Sequence, residues 1–446
     1  MRHSFPRVPQ VGYPEVVLPV GQVDHTPAPT DAAAPAQAPA PGGLALIQSM
    51  AGAEPGVVAE AATKHPAEWP HIAEWLHKAR GNAFVQRVLA KMNGTENELD
   101  LASLTPEQRE QYATIKQRDP KITEKDAIHE AKIARPLSSD DKAAVLAAAA
   151  KLAAVKPRPI NPGNNPNVVQ IEVAFDGTWN NRDEMAFDSN AALVHDLFEG
   201  TKHYEKGLAT DPSTNIVGGY FGAGISNRIN DAYAEVVAQV NAAKQANPHC
   251  EVVLIVTGFS RGSAAARAFA NTLNKRGVPD TSSARTPGGG YSKMQPAPRI
   301  GAMILFDTVG SIGIPGTNLN PGLDLTIPAN AENVLHLTAG DEKRGGFPLS
   351  AAKDARHPDD PRITEIALPG AHSDVGGSYA NDYSKIPLAM ATDYAHRAGV
   401  NVKPSAMPDV NNPAMRLHDS GGSGTRTVYD SHNPTDDVDV QKRPGS

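Results

Sequence analysis

The sequence predicts an α/β fold in which a mostly parallel sheet is flanked by helices. Three short apolar runs, rich in β-branched residues, have the length of buried strands; they cover residues 168–175, 252–256 and 300–306. A helical pattern over 228–245 precedes the second run, and alternating strands and helices are typical of a parallel sheet. The turn that follows residues 252–256 is the most specific of these signals.

That turn is the pentapeptide Gly258-Phe259-Ser260-Arg261-Gly262. A strand that ends in G-x-S-x-G and continues into a helix of small residues describes a nucleophile elbow, which exposes the serine hydroxyl at the top of a sheet. A Cβ at either glycine would collide with the neighbouring strand or with the helix. The pattern therefore predicts an α/β-hydrolase-like sheet with Ser260 as the nucleophile. A glycine-rich turn that merely contains a serine is the alternative.

Asp307 is the predicted acid partner of the nucleophile. It directly follows the apolar run 300–306, so it lies at the same edge of the sheet as the elbow. There it could accept the Nδ1 proton of a histidine, fix the tautomer and stabilise the imidazolium. An aspartate at a strand end also commonly caps a turn. Asp374 is an alternative acid, although a carboxylate so close to the base in sequence more often orders its own loop.

His372 is the predicted base, because it lies in the loop after a further apolar run at 363–368. From there it could take the proton of Ser260 and return it to the leaving group. Three other histidines compete for this role: His336, His418 and His432. The first falls inside a probable strand, and the other two fall in a polar, glycine-rich tail.

An oxyanion hole needs two backbone N–H donors that are already in place. Arg261, the residue after the nucleophile, should supply one from the start of its helix. The second should come from the turn after the strand at 168–175, which makes Gly177 or Thr178 the expected donor. A turn of this composition is also typical of a hairpin or a helix start.

Several blocks occur in an order that resembles one known family: Phe175-Asp176-Gly177-Thr178-Trp179-Asn180, Tyr220-Phe221-Gly222-Ala223-Gly224, Gly258-Phe259-Ser260-Arg261-Gly262, Phe306-Asp307-Thr308-Val309-Gly310 and Gly370-Ala371-His372-Ser373-Asp374-Val375-Gly376-Gly377. Over residues 167–400 the chain resembles the catalytic domain of type VI secretion phospholipase effectors, which are antibacterial lipase toxins. The resemblance implies an acyl ester hydrolase that acts on glycerophospholipids, with Ser260, Asp307 and His372 matching the triad.

The same resemblance implies export into a rival cell, contact with a phospholipid membrane surface and a cognate immunity protein. Two other functions stay open on the sequence alone. The chain could be an esterase or lipase that acts on other esters, with the same triad and a different pocket. It could also be a non-catalytic binding protein on a hydrolase scaffold, although three correctly ordered candidate residues argue against this.

Composition limits the partners. The formal net charge of −7 argues against a nucleic-acid partner, since no basic stripe offsets it. Contact with lipid should therefore be apolar and local. No motif indicates a cofactor, and a single cysteine excludes intrachain disulfides. The N-terminus lacks the apolar core of a signal peptide, so we expect synthesis in the bacterial cytoplasm. An exported protein without a signal peptide needs a dedicated secretion machine, which agrees with the export that the resemblance implies, but a plain cytoplasmic enzyme would have the same N-terminus.

Four segments are expected along the chain. Residues 1–43 are a disordered leader rich in proline and alanine, and residues 44–155 are a small all-helical module. Residues 160–418 form the hydrolase domain, and residues 419–446 form a flexible tail. The helical module is a candidate docking segment for a chaperone or the secretion apparatus. Its three histidines recur every six residues, which does not align them on one helical face, so no metal site is expected: His65, His71 and His77.

Overall fold

The structure is a computed structural model of the 446-residue chain. The residues that it describes are 58, 60, 101–120, 122–178, 180–182, 188–208, 223–310, 320, 322–354, 357–379, 382–420, 425–431 and 440–441. Several sequence predictions lie outside them: the leader at 1–43, the three spaced histidines of the helical module, residues 220–222 of the aromatic-glycine block, and His432.

The helices are α1 (Pro106–Arg118), α2 (Glu124–Ile133), α3 (Ser139–Ala154), α4 (Asn190–Leu197), α5 (Ala223–Ala246), α6 (Arg261–Arg276), α7 (His372–Gly376) and α8 (Lys385–Arg397). The strands are β1 (Ala134–Pro136), β2 (Val168–Phe175), β3 (Thr201–Glu205), β4 (Glu251–Phe259), β5 (Val278–Pro279), β6 (Met294–Gln295), β7 (Arg299–Phe306), β8 (Val334–Ala339), β9 (Leu349–Ser350), β10 (Ile363–Leu368), β11 (Arg416–His418), β12 (Val428–Tyr429) and β13 (Val440–Gln441). The two strands predicted at 168–175 and 363–368 have these bounds in the structure.

A parallel sheet forms the centre of the molecule. Among the described residues its strand order is β10-β8-β7-β4-β2-β3, and each neighbouring pair is parallel. The predicted mostly parallel sheet flanked by helices is therefore confirmed. Since the strands run in one direction, the residues that follow β2, β4, β7 and β10 meet at one edge.

Both faces of the sheet are covered, which explains the continuous apolar runs in its strands. In β4, Val253 and Ile255 point into one buried cluster, which also contains residues of α4 and α8. Leu254 and Val256 point into a second cluster, which contains residues of α5 and α6. Successive strand residues face opposite sides, so each side receives every second residue.

Residues 139–154 pack against the hydrolase sheet, although the sequence places them in a separate helical module. The predicted cap at Ser138 is present, since its side chain accepts a hydrogen bond from the N–H of Asp141. Val145 and Leu152 of α3 are buried in the same cluster as the face of the sheet that α4 and α8 cover. An alanine-rich helix with one apolar stripe is covered by packing against this sheet.

The region assigned to the helical module also contains a strand. β1 pairs antiparallel with β11, so Ala134 lies opposite His418. The segment before the hydrolase domain is thus joined to the segment that follows it. Within the described residues, no helix has both the length and the apolar character that a membrane span requires.

The prediction of a flexible tail from residue 419 does not fit residues 425–431. β12 pairs parallel with β9 and antiparallel with β13. Val428 and Tyr429 are buried. The N–H of Leu349 donates to the carbonyl of Thr427, so backbone pairing fixes this segment on the domain. The burial of these two side chains and the strand pairing of β12 hold the segment in place. The sequence does not predict this, because glycine and serine residues surround the two apolar positions.

Candidate active site

The elbow has the strained geometry that its sequence predicts. Ser260 has φ 58° and ψ −125°, in a region that residues other than glycine rarely adopt, and α6 begins at the next residue. A Cβ on Gly258 would lie 2.7 Å from Cα of Ser263, and one on Gly262 would lie 2.3 Å from the carbonyl oxygen of Phe175. Glycine is therefore required at both positions for the strand, the turn and the helix to pack.

Three predicted side chains meet at the edge of the sheet. His372 Nε2 lies 2.8 Å from Oγ of Ser260, and His372 Nδ1 lies 2.5 Å from Oδ2 of Asp307. Each of the three residues is at most 5 % exposed. β4 delivers the serine, β7 delivers the aspartate, and the turn after β10 delivers the histidine at the start of α7. This arrangement has the connectivity of a nucleophile, a base and an orienting acid.

Asp307 is kept ionised by its neighbours. Burial opposes ionisation, but the charge of Arg426 and the hydrogen bond from His372 outweigh it, so the pKa of this carboxyl lies well below its usual range. The N–H of Ala339 donates to Oδ1 at 2.8 Å. An ionised Asp307 accepts a hydrogen bond from the N–H at Nδ1 of His372, which leaves Nε2 free to accept one from the Ser260 hydroxyl.

Arg426 contacts the predicted acid, and the sequence analysis does not single it out. Its two terminal nitrogens donate to Oδ1 and Oδ2 of Asp307 at 2.7 and 2.8 Å, and its side chain is 7 % exposed. The contact joins residues 119 positions apart. A lone arginine in a stretch of glycine, serine and threonine carries no local signal, and only the pairing of β12 with β9 brings it to the site.

His372 is enclosed by two aromatic rings. The ring centroids of Phe259 and Phe347 lie 4.7 and 5.1 Å from its imidazole. Burial lowers the pKa of His372, against the opposing effect of Asp307. The imidazole is therefore neutral near pH 7, which is the form that a general base needs.

An ion pair between buried Glu342 and half-buried Arg344 supports the backbone of His372. The N–H of His372 donates to Oε2 of Glu342 at 3.2 Å, and Arg344 pairs with the same carboxylate at 2.6 Å. Burial opposes the ionisation of Glu342, but Arg344 reverses this and lowers the pKa of the carboxyl. Arg344 also stacks on Phe347, at 3.8 Å from the ring centroid, which joins the ion pair to the aromatic wall.

The competing histidines pair with other carboxylates. His336 Nδ1 lies 2.9 Å from Oε2 of Glu365, and its Nε2 accepts from the N–H of Thr308 at 3.1 Å. His418 Nδ1 lies 2.7 Å from Oδ1 of Asp374. Asp374 also accepts from the N–H groups of Ala371 and His418, so it orders its own loop.

The candidate oxyanion donors lie on either side of the elbow. Arg261 is the first residue of α6, and the first N–H groups of a helix lack partners within that helix. The N–H of Gly177 donates to Oδ1 of Asp176 at 2.7 Å, so it is engaged in this conformation. A Cβ on Gly177 would lie 2.6 Å from the Phe259 ring, so the glycine lets this turn approach the elbow. Thr178 follows directly.

Metal chemistry has no candidate centre in the ranges that the structure describes. Within those ranges, histidine, cysteine, aspartate and glutamate side chains form no group of three or more that could hold a metal ion. Buried His195, for example, pairs with one carboxylate instead: its Nδ1 lies 2.7 Å from Oε2 of Glu172.

Comparison with known families identifies the domain. The family described as "T6SS, Phospholipase effector Tle1-like, catalytic domain" matches residues 170–287 and 287–393, which together make up half of the chain. The chain belongs to this family. The matched residues of the Tle1-like domain include Ser260, Asp307 and His372, and the match ends before Arg426.

Two solved structures resemble the Tle1-like chain. A crystal structure of an uncharacterized protein from Pseudomonas aeruginosa is 20% identical, with a TM-score of 0.38, and the match covers 63% of this chain and 52% of that one. The Tle1 effector, solved bound to the VgrG spike of the type VI secretion system, is 21% identical, with a TM-score of 0.35 and coverages of 51% and 54%. This chain thus matches about half the length of both. No curated protein matches it.

Proposed function

We propose that this Tle1-like chain is a serine phospholipase of the A type, which hydrolyses acyl ester bonds of membrane glycerophospholipids. The observation that carries the proposal is the unbroken hydrogen-bonded series from Ser260 through His372 to Asp307 at a strained elbow. The series lies within the range that matches a family of phospholipase effectors.

The geometry supports a two-stage reaction. Oγ of Ser260 attacks the ester carbonyl while its proton passes to Nε2 of His372, and Asp307 stabilises the imidazolium. Collapse of the tetrahedral intermediate breaks the ester bond as His372 gives the proton to the lysophospholipid oxygen. Water, deprotonated by His372, then attacks the acyl-enzyme and releases the fatty acid and Ser260.

The oxyanion of both intermediates requires two donors. We assign them to the N–H of Arg261 and to the turn at Gly177 and Thr178. Because the N–H of Gly177 already donates to Asp176, Thr178 is the favoured member of this pair.

The proposal extends to the setting in which the enzyme acts. We infer export by a type VI system into a target cell, where the enzyme meets a phospholipid membrane surface, and protection of the producing cell by a cognate immunity protein. A spike protein such as VgrG, the partner of the solved Tle1 effector, is the proposed secretion contact. A chaperone is the other candidate partner for the N-terminal region. The chain requires no cofactor for this chemistry.

The test is hydrolysis of vesicles of phosphatidylethanolamine and phosphatidylglycerol, with Ser260→Ala as the matched control. Each lipid carries different acyl chains at its two positions, so the released fatty acid reports which ester is cut. We expect fatty acid and lysophospholipid from the wild type only. Cleavage of a soluble short-chain ester with intact vesicles would support the esterase alternative, and no Ser260-dependent turnover on either would contradict the proposal.

A further inference from the structure

We propose that Arg426 is a positioning residue of the active site, and that residues 425–431 complete the hydrolase. The inference rests on the proposed triad, because it assigns Arg426 the task of fixing Asp307 for His372. Arg426 lies beyond residue 393, where the family match ends.

All three nitrogens of the Arg426 guanidinium are used at this site. Nη1 and Nη2 donate to the two carboxylate oxygens of Asp307. Nη1 also donates to the carbonyl of Ala339 at 3.1 Å, and Nε donates to the carbonyl of Phe347 at 2.8 Å. Because backbone carbonyls fix the planar guanidinium, its two parallel hydrogen bonds hold the carboxylate of Asp307 in one orientation. Oδ2 of Asp307 is then directed at Nδ1 of His372.

Hydrogen bonds also connect the segment that carries Arg426 to the turn that contains Asp307. The N–H of Ala351 donates to the carbonyl of Tyr429, and the N–H of Ser350 donates to the carbonyl of Thr308, next to Asp307. Arg267 of the elbow helix donates to the carbonyls of Ser350 and Ala351, both at 3.0 Å. Residues 425–431 therefore connect to both the acid and the nucleophile through one short strand.

Arg426 also sets the balance of charge around the base. The charged groups that act on His372 are Asp307, Glu342 and Arg344, and Arg426 acts on Asp307, with which it pairs. A carboxylate that shares its charge with an arginine stabilises an adjacent imidazolium less than a lone carboxylate does. Arg426 therefore acts together with burial to favour the neutral imidazole of His372, while Asp307 still fixes its tautomer.

The first experiment compares Arg426→Gln, Arg426→Lys and Arg426→Ala with Arg416→Gln. Arg416 is a matched control from the same part of the chain, since its guanidinium contacts only backbone carbonyls among the described residues. On a soluble p-nitrophenyl ester we expect kcat of Arg426→Gln to fall about ten- to hundredfold with little change in KM. Arg426→Lys should lie between it and the wild type, and Arg416→Gln should match the wild type.

Chemical rescue separates positioning from a general loss of fold. Guanidinium chloride, at concentrations that leave the wild type unaffected, should restore part of kcat to Arg426→Ala, because the free cation reproduces the fork. Ethylammonium chloride at the same ionic strength supplies charge without the fork and should restore less. Equal restoration by both salts, or none by either in a folded variant, would overturn the assignment.

A titration by NMR does not depend on turnover. In Arg426→Gln the pKa of the His372 ring should rise relative to the wild type, because Asp307 loses its counterion, and Arg416→Gln should leave it unchanged. The acid limb of kcat/KM should move to higher pH with it. An unchanged His372 titration together with wild-type kcat would refute the proposal. Failure of the triad function would instead appear as wild-type protein without Ser260-dependent turnover.

Discussion

Two buried histidine–carboxylate pairs differ in the direction in which the pKa of the histidine is shifted. His372 with Asp307 and His418 with Asp374 have Nδ1-to-oxygen distances of 2.5 and 2.7 Å, and all four side chains are at most 5 % exposed. Nevertheless, the pKa of His372 is lowered by burial, whereas the pKa of His418 is raised because Asp374 and Glu130 outweigh burial.

The charged side chains around the two pairs account for the opposite directions of the two histidine pKa shifts. Arg426 pairs with Asp307, and Arg344 lowers the pKa of His372. His418 receives the charge of two carboxylates, and the contacts of Asp374 include the backbone N–H groups of Ala371 and His418. The same two types of side chain therefore favour a neutral imidazole beside Ser260 and a protonated imidazole in the pair of His418 with Asp374, which we call the brace.

The largest expected effect separates the two pairs by activity. Asp307→Asn should lower kcat about 10³- to 10⁴-fold, because the amide no longer selects the tautomer of His372 that can accept from Ser260. Asp374→Asn should retain kcat within about tenfold, since Asp374 acts through the loop that carries the histidine. Ester hydrolysis by the two folded variants checks this. Similar losses in both would mean that the two pairs share the chemistry.

Breaking the pair of His418 with Asp374 should affect the free energy of unfolding more than it affects kcat. His418→Leu removes the imidazole that pairs with buried Asp374, and breaking a buried pair costs about 3–5 kcal/mol. The free energy of unfolding, measured with urea, should fall by that amount, whereas kcat of the remaining folded protein should change much less. A stability equal to that of the wild type would show that His418 is not charged in the folded protein.

The dependence of stability on pH should distinguish the two histidines by sign. The pKa of His418 is raised above its ordinary value, so its contribution to stability is complete below about pH 6.5 and is lost as pH rises through the folded pKa. The pKa of His372 is lowered, so folding is disfavoured as pH falls below about 6.5. Denaturation of the wild type, His418→Gln and His372→Gln between pH 5 and 9 tests both signs, and identical pH slopes would contradict them.

The smallest expected effect concerns the ring that stacks on the brace. Tyr379 lies 3.9 Å from the His418 imidazole, centroid to centroid. Tyr379→Leu should lower the free energy of unfolding by about 1 kcal/mol through the lost ring contact, with kcat unchanged. Thermal denaturation and an ester assay are sufficient. A loss of kcat in this variant would indicate that the brace transmits more to His372 than packing alone.

Local sequence predicts one side of the active site and not the other. Ser260 is positioned by four adjacent residues, and the strands before Asp307 and His372 are continuous apolar runs, so their places at the sheet edge could be predicted. Each of those signals lies within a few positions of the residue that it places. The pattern that marks an elbow is itself a description of steric contacts within a single turn.

The features that the sequence does not predict depend on contacts between segments that are far apart in the chain. Nothing adjacent to Arg426 or His418 indicates a carboxylate partner, because Asp307 and Asp374 are 119 and 44 residues away. The packing of α3 on the sheet and the pairing of β1 with β11 are likewise set by the finished fold. The polar, glycine-rich composition after residue 419 predicts a flexible tail, although the buried side chains of Val428 and Tyr429 fix part of it.

The position of Arg426 has a consequence for how the protein is made. A ribosome releases Ser260, Asp307 and His372 well before it releases residues 425–431, and chains begin to fold from their N-terminal side during translation. On the proposed role of Arg426, a nascent chain would present its nucleophile without the counterion that orients the acid. Full activity would then arise only once translation has passed Arg426, so partial products would be poor hydrolases in the cell that makes them.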